Sequence, residues 1–168
     1  NLKILDPACG SGAFLVKAVD ILLEIDEEIQ QRKPKKIHSQ VGMDEFTKIK
    51  DINLIIENNI YGVDLNPASV EITKLSLFLK LAGPQRKLGY LSNNIKVGNS
   101  LISDKKIVKN AFSWETEFPE VMGFEKFDII IGNPPYLRIQ GLHENHESII
   151  NFIKNNFKSA TGHYDYYI

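Results

Sequence analysis

Residues 2–29 constrain the fold more than any other stretch. A short apolar run, "LKILD" (2–6), is followed by a glycine-rich segment, "PACGSGA" (7–13), and then by apolar residues at Phe14, Leu15, Ala18, Leu22, Ile25 and Ile29. The first run has the length and character of a buried strand. The last has helical spacing, with acidic residues on the opposite face. The order strand, glycine turn, helix recurs in looser form along the chain. "IYGVDLNP" (60–67) predicts a second buried strand ending at Asp64, and "ASVEITKLSLFLKLAG" (68–83) an amphipathic helix stopped by Gly83 and Pro84. "NIKVGNSL" (94–101) predicts a third strand with a polar exit at Asn99 and Ser100. "FDIII" (127–131) predicts a fourth, buried strand. Helices are expected over 46–59 and 146–157. Residues 32–46 read as a polar, basic surface excursion, and 103–126 as loop or edge structure.

Strands alternating with helices predict an α/β fold: a mostly parallel sheet with helices on both faces. The 168 residues suffice for one domain with a real core. Residues 1–168 are therefore read as one partial domain, with 26–59 a long linker or insertion between the first two strands. Both ends fall within patterned sequence, so the chain is expected to be truncated at both ends. The composition, 43% hydrophobic and 24% charged, is that of a globular protein. The net charge of -1 gives no support to duplex binding through the domain's own surface. Cys9 is the one cysteine, which excludes an internal disulfide and fits a reducing compartment. No secretory signal or membrane-spanning run is evident, so a cytoplasmic setting is expected. No His/Cys/Asp cluster has the spacing of metal ligands.

Asp6, Asp64, Asn99 and Asn133 each stand just past an apolar run. In parallel sheets, ligands bind outside the carboxyl ends of the strands, so these residues predict one polar, ligand-binding edge. In "DPACGSG" (6–12), Gly10 and Gly12 permit a tight turn that brings amides and a helix start close to a ligand. A dinucleotide fingerprint needs a third glycine at position 15, which is Leu15 here. Asp64 can accept ribose hydroxyls; it, Asn66 or Ser69 can equally cap the next helix. Asn99 can read an adenine's amine and ring nitrogen, or simply form a turn. In "GNPPY" (132–136), the Asn133 side-chain carbonyl and the Pro134 backbone carbonyl can converge on an amino group. Prolines 134 and 135 stiffen the loop, and Tyr136 offers a face for stacking a base.

"DPACGSGAFL", "YGVDLNP", "KVGNSL" and "GNPPY", in this order, resemble the adenine-N6-specific DNA methyltransferases of bacterial restriction–modification and related phage-defence systems, with the gamma-type motif order. The resemblance covers residues 2–138. It implies a Rossmann-like methyltransferase fold and S-adenosyl-L-methionine as methyl donor. Asp6, Ala8, Cys9, Gly10 and Gly12 would surround the methionine part of that cofactor and Asp64 its ribose. Leu65 would lie against its adenine, which Asn99, with Ser100, would read. Asn133, Pro134, Pro135 and Tyr136 would form the catalytic turn around the target adenine. Implied partners are double-stranded DNA, a linked or partner nuclease and a specificity domain, with no membrane; a target-recognition domain is absent from this stretch. "GHYDYYI" (162–168) resembles the start of a further helix lining the site, and its tyrosines fit a core equally well. Lys33, Lys35 and Lys36 read as a solvated loop or a DNA-phosphate contact. Two other readings stay open. A protein-glutamine N5-methyltransferase needs the same acceptor pair, and a non-catalytic cofactor-binding module could serve a larger complex.

Overall fold

The computed structural model describes residues 2–32, 44–80, 88–123, 126–134 and 147–160. Expectations that fall on Lys33, Lys35, Lys36, Gly83, Pro84, Pro135, Tyr136 and residues 162–168 lie outside the described residues. Four strands, β1 (Ile4–Asp6), β2 (Ile60–Asp64), β3 (Ile95–Val97) and β4 (Ile129–Ile130), form one sheet in the order β3-β2-β1-β4. Every pairing is parallel, with Asp6 opposite Gly62, Asp64 opposite Val97 and Leu5 opposite Ile130. Helices α1 (Ala13–Arg32) and α2 (Asp44–Asn59) precede β2, and α3 (Pro67–Lys80) precedes β3. The one-turn helices α4 (Trp114–Glu117) and α5 (Pro119–Met122) precede β4, and α6 (Glu147–Asn156) follows it.

Strand alternation divides the core between the two faces. Ile4, Ile60 and Ile95 face one side and pack with Leu15 and Val19 of α1, Ile56 of α2, and Val70 and Leu77 of α3. Leu5, Tyr61 and Val63 face the other and meet Phe112, Phe118 and Val121. The Phe118 ring stands edge-on to Tyr61 at 5.5 Å, and Trp114 edge-on to Phe112 at 4.9 Å. Phe112, Phe118 and Val121, from the stretch 103–126 read from sequence as loop or edge structure, thus provide the cover for the second face. Trp114 opens a single turn, Phe118 ends it and Phe112 precedes it, which leaves no period to read.

Two expectations are corrected by the packing. Phe14, Ile25 and Ile29 are about half exposed, at 49%, 47% and 49%, while Leu15, Ala18 and Val19 are buried. Periodicity identifies a stripe, but the sheet selects the face. Gly62 of β2 has no side chain, and a Cβ there would come within 2.8 Å of Leu15 Cδ1, so Leu15 leads the contact. The fourth strand is not buried either. Ile129 and Ile130 are 39% and 66% exposed, because among the described residues β4 has one strand neighbour, and it is the flanking Phe127 and Ile131 that pack against the core.

Asn94 ties three elements together. It is buried, and its Nδ2 donates to the carbonyls of Glu57 and Ile60 at 2.9 Å each, while its own carbonyl accepts the Gly62 amide. Asn94→Leu would leave the end of α2 and the start of β2 without donors. We expect a loss of about 2 kcal/mol, seen as a lower urea midpoint with an unchanged slope. An unaltered midpoint would remove Asn94 from the supports of the fold.

Candidate active site

The carboxyl ends of the strands lie side by side, so Asn99, Asp64, Asp6 and Asn133 follow neighbouring strands across a width of roughly 14 Å at ordinary strand spacing. The strand order reverses between β1 and β4. The connections through α1, α2 and α3 pack on one face, and residues 112–122 of the connection to β4 pack on the other. A crevice outside such a reversal is where open α/β sheets hold their ligands. Here it is flanked by the glycine turn after β1 and the Asn-Pro turn after β4.

The glycine turn is held from several sides. The Cys9 amide donates to the Val63 carbonyl at 2.9 Å, and the Gly12 amide to the Cys9 carbonyl at 2.8 Å. Gly10 and Gly12 have φ of 53° and 83°, a region that other residues rarely adopt. Gly10 donates its amide to Asp64 Oδ2 at 2.8 Å and accepts the Thr73 hydroxyl at 2.8 Å. Asp64 Oδ1 accepts the Asn66 amide, and Asn66 in turn caps α3 by accepting the Ala68 amide. Asn66 is therefore the cap among the three candidates, while Asp64 bridges β2 to the glycine turn. Leu65, beside it, is 49% exposed.

Asp6 is 1% exposed, and its Oδ1 accepts the Ala8 amide at 3.0 Å. Burial, partly offset by that hydrogen bond and reinforced by the nearby Asp64 charge, pushes the Asp6 carboxyl up to about 6. A Cβ on residue 132 would stand 2.7 Å from Asp6 Oδ1, so Gly132 brings the turn carrying Asn133 directly against the carboxylate. Asn133 is exposed and Pro134 half-buried; Pro135 and Tyr136 are outside the described residues. Cys9 packs into the core, and its thiol is pushed up to about 12 by burial, with Asp64 and Asp6 adding to the effect. It supports the turn from beneath as a neutral thiol. Asn99 is buried, and its Oδ1 accepts the Leu101 amide at 3.1 Å, which is a turn-forming bond. The neighbouring Ser100 Oγ is buried with no hydrogen-bond partner among the described residues.

Sequence reasoning missed Thr73. It is fully buried on the stripe Val70, Thr73, Leu77, and it touches both glycines of the turn. The available signal was a hydroxyl at a position where the helical period demands an apolar residue.

Sheet and edge together define a Rossmann-like α/β protein of the methyltransferase kind. Residues 58–168 match the Eco57I restriction-modification methylase family, and the chain belongs to it. It is 30% identical to the Type II restriction enzyme and methyltransferase RM.Eco57I of Escherichia coli, over 99% of this chain and 18% of that protein. It is 27% identical to the adenine-specific methyltransferase PglX of Streptomyces coelicolor, over 83% of this chain and 12% of that protein. It is 25% identical to DNA methyltransferase A of Bacillus subtilis, over 88% of this chain and 16% of that protein. The chain thus spans under a fifth of the length of these curated relatives.

A carboxyl raised by folding costs stability as it ionises, so the Asp6 contribution is fully present below the ordinary value of 3.8 and is lost as pH rises through about 6. Asp6→Asn retains an acceptor for the Ala8 amide without the charge. The melting temperature of the variant should pull ahead of the parent's between about pH 4 and about pH 6 and keep a constant lead above. Thermal unfolding across that range checks it; a lead that does not change with pH would contradict the assignment.

Proposed function

We propose that this chain is the catalytic part of an enzyme that transfers a methyl group from S-adenosyl-L-methionine to N6 of a flipped adenine in DNA, within a restriction–modification or phage-defence system. The observation that carries the reading is the juxtaposition of Asp6 with Gly132, which sets a cofactor-type glycine turn beside an Asn-Pro acceptor turn. Membership of the methylase family and the adenine-specific relatives support the choice of reaction and base.

The donor set fits the cofactor. Asp64 stands close enough for its charge to act on Asp6, and neither has an ion-pair partner among the described residues. A ligand bearing a sulfonium and an ammonium suits such an edge. Each Asp64 oxygen accepts one backbone amide and so keeps capacity for a ribose hydroxyl. The Ser100 hydroxyl, without a partner among the described residues, stands just past the end of β3, beside Asn99, as a candidate partner for the cofactor's adenine. In this reading Asp6, Ala8, Cys9, Gly10 and Gly12 form the methionine side, Cys9 by shaping the turn. Leu65 lies against the adenine. When bound, S-adenosyl-L-methionine supplies a methyl group already activated by its positive sulfur.

The chain's own task is alignment. The adenine amine is a weak nucleophile because its lone pair is delocalised into the ring. The Asn133 side-chain carbonyl and the Pro134 backbone carbonyl accept its two hydrogens, favouring a pyramidal nitrogen with an exposed lone pair. Alignment of this kind can lower a barrier by roughly 7–11 kcal/mol, so no strong base is needed. Extruding the base from the duplex costs a few kcal/mol, of which stacking on Tyr136 returns about 1–3 kcal/mol. Duplex binding, target choice and cleavage fall to other parts of a longer protein or its partners. The RM.Eco57I relative, named as both restriction enzyme and methyltransferase, makes a linked nuclease the natural arrangement.

In the full-length protein, Asn133→Ala should lower methyl transfer to adenine-containing DNA by roughly 100-fold or more while leaving cofactor affinity unchanged. Offering adenine DNA beside a glutamine-bearing protein separates the reading from glutamine methylation. Turnover retained in the variant, or methyl label found only on the protein, would contradict it.

A further inference from the structure

We propose that Thr73 is a positioning residue that sets the affinity of the glycine turn for the cofactor without touching it; the inference rests on the cofactor reading above. Thr73 has no exposed surface, and it sits on α3 between Val70 and Leu77, where an apolar side chain would pack as well. A hydroxyl buried at such a place is costly unless it is bonded. Threonine on a helix often returns that bond to its own backbone. Here it leaves the helix and donates to the Gly10 carbonyl at 2.8 Å, across 63 residues of sequence.

The same side chain meets the turn at two further points. A Cβ on Gly12 would lie 2.8 Å from the Thr73 methyl carbon and 2.9 Å from its oxygen. The Cys9 sulfur is 4.0 Å from that oxygen. Thr73 thus contacts the base of the turn, its middle and its exit. With the Gly10 amide on Asp64 and its carbonyl on Thr73, both polar groups of that residue are fixed from opposite sides. The left-handed conformations of Gly10 and Gly12 then hold, and the turn meets the ligand already shaped. Loss of the hydroxyl frees the Gly10 carbonyl and lets the Gly10–Ser11 peptide rotate, so that part of the binding free energy goes into reordering the turn.

The test compares Thr73→Val, which keeps the shape and removes the hydroxyl, with Thr73→Ser, which keeps the hydroxyl and removes the methyl, in the full-length enzyme. The valine variant should raise KM for S-adenosyl-L-methionine roughly tenfold, the loss of about one buried hydrogen bond, with kcat nearly unchanged. The serine variant should restore the parental KM even if it melts at a lower temperature. A folded valine variant with the parental KM overturns the proposal and leaves the cofactor reading intact. If the valine variant does not fold, the serine variant decides, because a raised KM with its hydroxyl present overturns the proposal. A parent enzyme that does not bind the cofactor overturns both.

Discussion

The hydrogen bond from the Gly10 amide to the Asp64 carboxylate is the contact on which the rest of the edge depends. It joins the turn after β1 to the end of β2, two segments that the chain separates by more than fifty residues. Asp64 also accepts from Asn66, whose own side chain starts α3, and α3 carries Thr73 back to the Gly10 carbonyl. A closed circuit results. The carboxylate fixes the turn, the helix cap fixes the carboxylate, and the helix fixes the turn from its other side. Because the backbone of Gly10 is held at both ends, the first amides of α1, which have no intrahelical acceptor, stand in a defined place at the crevice.

The circuit has an electrostatic cost. Asp6 is buried beneath the crevice beside Asp64, and burial first, with the Asp64 charge adding to it, raises its affinity for a proton. A sheet selected for stability alone would place apolar or paired residues there. Groups held in an unfavourable state cluster at working sites, and the strain is tolerated because a ligand relieves it. Gly132 belongs to the same trade. By lacking a side chain it lets the Asn-Pro turn close onto the carboxylate, so the two halves of the crevice meet there.

Much of this was legible in the sequence. The glycine turn, the acids after two apolar runs and the Asn-Pro turn each carry a local signature, and the parallel sheet follows from their alternation with helices. What the sequence could not show is geometry at a distance. That Asn66 caps α3 and frees Asp64 to reach Gly10 depends on the β1–β2 register. That Phe112, Trp114 and Phe118 cover the second face depends on their rings meeting around a single turn, Trp114 edge-on to Phe112 and both tilted against Phe118, with no period to reveal them. The half-exposure of Phe14, Ile25 and Ile29 reflects a choice of face made by Gly62, which lies on another element. Asn99 has the turn-forming bond that its residue type allows, alongside its place on the polar edge.

The most direct test of the central claim, that the carboxyl edge of this sheet is a cofactor site, is a calorimetric titration of the full-length protein with S-adenosyl-L-methionine, beside Asp64→Ala. The account predicts saturable binding by the parent. It also predicts a large loss of affinity in the variant, because the substitution removes both the ribose acceptor and the anchor of the Gly10 amide. Equal binding by the two, or none by a folded parent, would contradict it.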